Sequence, residues 1–93
     1  MKDVIMFYLD SCGYCAKAFR ALDELYEKKP AYREVPITKI EESQQPELAD
    51  QYDYYAVPTF FVGGEKIFEA RLFMSYEDIR DGAEKALDAA LEA

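Results

Sequence analysis

Apolar residues run unbroken from Val4 to Leu9, and from Gly13 onward the spacing changes to threes and fours. A short continuous run of Val, Ile, Phe and Tyr suits a strand buried on both faces. Cys15, Ala18, Phe19, Leu22, Leu25 and Tyr26 then share one helical face. Lys28-Lys29-Pro30 predicts the end of that helix, with cations at its negative pole and a proline as stop. Glu34 to Ile40 reads as a second strand; because proline donates no ladder hydrogen bond, Pro36 implies either an edge strand or a proline on the strand's unpaired side. A strand–helix–strand crossover of this length implies parallel pairing.

Pro46, Leu48, Ala49 and Tyr52 predict a short helix after a polar connection at 41–45. Thr59 to Val62 reads as a third strand. Gly63-Gly64 signals a hairpin, and Lys66 to Ala70 follows as a fourth, antiparallel strand. Ser75-Tyr76-Glu77-Asp78 has the spacing of a capping box. It opens a last helix with Ile79, Ala83, Ala86, Leu87, Ala90 and Leu91 on one face. The order is β-α-β-α-β-β-α in a single domain, residues 1–93.

Nineteen acidic residues against eleven basic give a net charge of −8. Such a field disfavours nucleic acid and anionic membranes as partners; otherwise the acidity reads as solvated surface. No apolar run reaches transmembrane length and no leader pattern opens the sequence, so a cytoplasmic location is expected. Two cysteines cannot form a disulfide framework, and a Cys-x-x-Cys loop is too short to stabilise much by cross-linking. In a reducing compartment such a pair is catalytic or metal-binding rather than structural.

The chemistry concentrates in two segments, Cys12-Gly13-Tyr14-Cys15 and Val57-Pro58-Thr59. At a helix start, backbone N–H groups and the helix dipole stabilise a thiolate. A proline after a β-branched residue, leading into a strand, marks a tight junction that suits a cis bond. A mononuclear zinc site is disfavoured, since two thiols and no histidine leave half the tetrahedron empty. A buried, inert thiol pair is the remaining alternative, disfavoured because a glycine-containing motif at a helix start buries poorly.

These elements, with the Cys-x-x-Cys at the first helix and Val57-Pro58-Thr59 before a hairpin, resemble the thioredoxin fold over nearly the whole chain. The resemblance implies an α/β, thioredoxin-like fold, with a four-stranded mixed sheet flanked by helices. The start at the first central strand and Tyr14 are glutaredoxin-like, whereas the hairpin at 63–66 and Lys39 are similar to thioredoxin. The chain departs from both patterns. Ser11 stands where thioredoxins have tryptophan, Met6 where they have a buried acid, and Phe73 where they have glycine. Asp10 replaces a glutaredoxin lysine. Residues 70–75 lack the Gly-Gly and paired aspartates that hold glutathione.

The resemblance implies a thiol–disulfide oxidoreductase cycling Cys12–Cys15 between dithiol and disulfide, in electron transport and cell redox homeostasis. Cys12 is then the nucleophile and Cys15 the resolving thiol. Gly13, Tyr14, Val57, Pro58 and Thr59 form the substrate-binding groove, with Val57 offering its backbone to an extended chain. Tyr55 and Phe73 are further candidates for its rim, and Lys39 reads as a solvated strand residue. Expected partners are disulfide-containing proteins and a reductase or thiol donor, the protein itself being a monomer. No metal and no cofactor beyond the redox-active disulfide is expected, with glutathione disfavoured. The alternatives are a glutathione-dependent glutaredoxin and a glutaredoxin-like [2Fe–2S] cluster carrier, for which Gly13 after the first cysteine fits.

Overall fold

The computed structural model describes residues 1–92. Four strands form one sheet: β1 (Val4–Tyr8), β2 (Ile37–Glu41), β3 (Thr59–Val62) and β4 (Glu65–Glu69), in the order β2-β1-β3-β4. β1 pairs parallel with β2 and antiparallel with β3, and β3 pairs antiparallel with β4. Three helices flank it: α1 (Gly13–Lys28), α2 (Pro46–Ala49) and α3 (Tyr76–Leu91). No described helix is long and apolar enough to cross a membrane.

The continuous apolar run of β1 works as its pattern requires. Val4 and Met6 face one layer with Ala18, Leu22, Phe60, Ile79 and Leu87. Phe7 faces the other, with Ile40, Ala49 and Phe61. There the Tyr54 ring stacks on Phe7 at 4.7 Å and the Tyr52 ring lies 5.0 Å away. Large rings thus close the face that the four-residue α2 is too short to cover.

β2 begins three residues later than its apolar pattern suggests. Pro30 opens a 3-10 turn that continues to Glu34, and Pro36 has no N–H to enter the ladder. Its carbonyl does accept the Val4 N–H at 3.0 Å, so the chain joins the sheet there on one side only. β2 is an edge strand, the position proline tolerates. β4 lies one residue earlier than expected, and a register irregularity sits opposite Phe60 and Phe61. The Ser75 capping box is present: Ser75 Oγ accepts the Asp78 N–H at 3.1 Å and Asp78 accepts the Ser75 N–H at 3.2 Å.

Candidate active site

β1 delivers the chain to the sheet's carboxyl edge, and a turn at residues 10–11 hands it to α1. Cys12 is the N-cap of that helix, and its sulfur accepts the Cys15 N–H at 3.3 Å. One of the helix's unsatisfied amides therefore points at the sulfur, which is the arrangement that stabilises negative charge there. On its other side the Cys12 thiol lies 3.7 Å from the Val57 carbonyl, to which it donates. Cys12 is partly exposed, whereas Cys15 is buried at 1 % exposure. Burial pushes the Cys15 thiol up to about 12, helped by its hydrogen bond to the Cys12 side chain and by the Cys12 and Glu42 charges. Cys15 therefore holds its proton at neutral pH.

The Val57–Pro58 peptide is cis. Its approach is fixed by Glu69, whose carboxylate accepts the Tyr55 N–H at 2.5 Å and the Ala56 N–H at 2.9 Å. Burial opposes ionisation of Glu69, but Lys66 at 2.8 Å and those two amides outweigh it and hold the carboxyl below its ordinary value. Pro58 is buried, and its carbonyl accepts the Ala70 N–H at 3.0 Å. Val57 stays half-exposed beside the sulfur. Thr59 departs from the expected groove. Its side chain is fully buried and its hydroxyl donates to the Ala56 carbonyl at 2.5 Å. Thr59 shapes the loop from behind and cannot reach a substrate with its side chain.

Gly13 is exposed at the first turn of α1, and a Cβ there would meet open space. Tyr14 is half-buried rather than free, because its hydroxyl accepts the Phe73 N–H at 2.9 Å. The contact ties the cysteine motif to the β4–α3 connection. Phe73 there has φ of 67°, the left-handed region that side chains disfavour, and is 94 % exposed. The residue expected in place of a glycine thus keeps a glycine's backbone. Leu72 and Tyr55 are exposed too, so Phe73 belongs to the surface and not the core. An open cleft of about 260 Å³ is bordered by Cys12, Gly13, Tyr14 and Lys17. A larger cavity of about 450 Å³, bordered by Glu42, Asp50 and Tyr54, includes neither cysteine. Lys39 is exposed, its ammonium 5.3 Å from the Phe19 ring centre.

Sequence reasoning missed the carboxylates that build this site. Glu41 falls in the segment read as a polar connection, yet it ends β2 and is buried at 8 % exposure. Glu69 carries no signal beyond its place on a strand. Among the described residues no three His, Cys, Asp or Glu side chains gather as metal ligands.

The glutaredoxin family model matches residues 4–67, from the first strand through the cysteine motif and the cis proline into β4. The chain belongs to the glutaredoxin family. Membership supports a thiol redox function in general. Among solved structures, a malarial protein superposes with a TM-score of 0.62 at 18 % identity, covering 94 % of this chain and 98 % of that one. A point-mutant thioredoxin from Halobacterium salinarum gives 0.57 at 25 % identity, over 92 % of this chain and 74 % of that one. Oxidised glutaredoxin 2 from Chlamydomonas reinhardtii gives 0.50 at 23 % identity, over 98 % and 80 %. These likenesses establish the thioredoxin/glutaredoxin fold. No curated protein matches the chain by sequence.

Proposed function

We propose that the protein is a thiol–disulfide oxidoreductase that reduces protein disulfides through Cys12 and Cys15. The observation that carries this reading is the asymmetry of the pair. Cys12 is accessible and accepts a helix N-terminal amide, while Cys15 is buried and held as a thiol. The Cys12 thiolate attacks one sulfur of the substrate disulfide. The substrate S–S bond breaks, a Cys12–substrate bond forms, and the other substrate sulfur leaves as a thiolate that takes up a proton. Cys15 then attacks the Cys12 sulfur, its proton passing to the departing substrate sulfur. The mixed disulfide breaks, the second substrate thiol leaves, and two electrons have passed to the substrate. A dithiol or flavoenzyme donor returns the pair to the reduced state. In this reading an extended substrate chain pairs with the backbone of half-exposed Val57 during both steps.

Glutathione fits the surroundings poorly as that donor. The β4–α3 connection presents Leu72 and Phe73 to solvent, and the Phe73 N–H is already taken by Tyr14. The acidic pair nearest that region is Glu77–Asp78 in the first turn of α3, and Asp78 is engaged in the capping box. The tripeptide's two carboxylates would also meet a molecule of net charge −8.

The test is turnover of a protein disulfide with glutathione plus its reductase in one arm and thioredoxin with its reductase in the other. Cys12→Ser should abolish exchange, and Cys15→Ser should accumulate a mixed disulfide with substrate. Equal trapping by both variants would reverse or remove the assigned roles. Efficient, saturable turnover with glutathione would replace the proposed donor. Anaerobically purified protein with the visible absorption of an iron–sulfur cluster would favour the carrier alternative.

A further inference from the structure

We infer that Glu41 is a positioning residue for Cys12: its ionised carboxylate fixes the turn that sets the nucleophile at the end of α1. Glu41 ends β2, beside the exit of β1, and is paired with Tyr8 in the sheet register. Among the described residues it is the one charged side chain that is buried. A carboxylate is expensive to bury unless its lone pairs are satisfied. Here the donors come from two sides. Glu41 Oε1 accepts the Ser43 N–H at 2.7 Å and the Ser43 hydroxyl at 2.5 Å. Oε2 accepts the Asp10 N–H at 3.1 Å. The Ser43 hydroxyl is the leading reason, followed by the Asp10 amide, that the Glu41 carboxyl is held below its ordinary 4.5.

The two oxygens have different jobs. The Ser43 contacts are local and orient the carboxylate. The Asp10 contact spans 31 residues and reaches the turn between β1 and the cysteine motif. That turn has few other ties. Within it the Cys12 N–H donates to the Leu9 carbonyl at 3.2 Å. Beyond it, the Cys12 sulfur must meet both the Cys15 N–H and the Val57 carbonyl. A released turn lets the sulfur leave both partners. Opposite it, Glu69 holds the 55–56 amides that lead to Val57. One carboxylate therefore holds the backbone leading to Cys12, and another the backbone leading to the Val57 carbonyl beside its sulfur.

This inference rests on the proposed redox function, and the experiment separates the two. Glu41→Gln keeps size but replaces one acceptor oxygen with an NH2 group, which must face either a Ser43 donor or the Asp10 N–H. Ser43→Ala removes only the orienting hydroxyl and leaves the Asp10 contact. Tyr32→Phe serves as a remote control, since it removes the hydroxyl that ties the turn after α1 to Glu84 and Asp88 of α3. The measured quantities are the second-order rate of Cys12 alkylation by iodoacetamide and the kcat and KM for a protein disulfide, all well below each variant's Tm. Glu41→Gln should lower both the alkylation rate and kcat/KM by on the order of ten-fold or more, as displacement of a reacting group does. Ser43→Ala should lose much less, and Tyr32→Phe should lose stability with no change in either rate. Native-like Glu41→Gln rates, or equal losses in Tyr32→Phe at matched stability, would overturn the inference. An unmutated protein with no exchange activity but a Glu41-dependent alkylation rate would retain the positioning role and reject the redox reading.

Discussion

Gly82→Ala should destabilise this protein, although the same change in an ordinary exposed helix would stabilise it. Gly82 lies inside α3, where alanine is favoured over glycine by about 0.8–1.0 kcal/mol. The packing overrides that gain. A Cβ at Gly82 would lie 2.2 Å from Phe68 Cδ1, 2.4 Å from Cε1 and 2.5 Å from Cγ. Carbon atoms in contact normally stand about 3.5–4.0 Å apart, so the ring must move by roughly 1 Å or more. It cannot swing freely, since it packs against the main core and its centre is 6.3 Å from the Phe60 ring. Overpacking of this kind costs about 1–3 kcal/mol, leaving a net loss of about 1 kcal/mol after the helix gain. For a chain of this size that is a Tm lower by about 4–8 °C. Urea unfolding of the reduced protein measures it, and a cycle with Phe68→Ala isolates the cause. Without the ring, Gly82→Ala should become stabilising by the propensity term alone. The reasoning is refuted if Gly82→Ala stabilises the native background, or if its effect is the same in both backgrounds.

Phe73→Gly should act in the opposite sense. An L residue in the left-handed region costs about 1–2 kcal/mol, and glycine returns about 0.5–1 kcal/mol of that as unfolded-state entropy, so a net gain of about 0.5–1 kcal/mol is expected. The 94 % exposed ring loses no burial. A urea midpoint that falls would show that the ring makes a contact worth more than the backbone relief. Acid stability should depend on Tyr32, whose hydroxyl bonds Glu84 at 2.8 Å and Asp88 at 2.7 Å. That hydroxyl, more than the nearby Lys28, holds the Glu84 carboxyl below its ordinary 4.5 despite partial burial. The folded state therefore binds the Glu84 proton less tightly than the unfolded chain, and this stabilisation is full above about pH 5 and lost as pH falls through the lowered value. Tyr32→Phe should flatten the loss of unfolding free energy as the pH falls below about 5; parallel curves for the two proteins would contradict the assignment.

The sequence carried the fold wherever periodicity and punctuation agreed. β1 is buried on both faces because six consecutive apolar residues leave no polar side to expose. α1 ends at Lys28 because Pro30 cannot continue it, and α3 begins where Ser75 and Asp78 cap each other. β2 was misplaced because Glu34 and Val35 alternate like a strand while two nearby prolines dictate a turn; tertiary pairing begins only past Pro36. The position of the cysteine pair at the start of α1 and the cis Val57–Pro58 junction before β3 match what their spacing and residue types suggest. The burial of Thr59 was not legible, since a threonine beside the groove and one buried behind it look alike in sequence.

The acidic residues show why the rest was illegible. As composition they read as solvated surface, and most of them are. Yet Glu41 accepts the Asp10 amide of the turn before Cys12, and Glu69 the two amides leading to Val57. Glu84 and Asp88 receive the buried Tyr32 hydroxyl. Each acts as an acceptor for a donor that is 13 or more residues away, and no local pattern encodes such a partner. The site is assembled where the end of β1 lies beside the start of β3, and its two halves arrive from different parts of the chain. Loops at such an edge leave amides that neither helix nor ladder satisfies, and a buried amide without a partner costs about 1–3 kcal/mol. An ionised carboxylate accepts several donors at once, which a neutral side chain of the same size cannot match. The carboxylates at 41 and 69 therefore follow from the same requirement as the cysteines. In the proposed mechanism, a nucleophile that caps a helix stays aligned only when the turn leading into it is held.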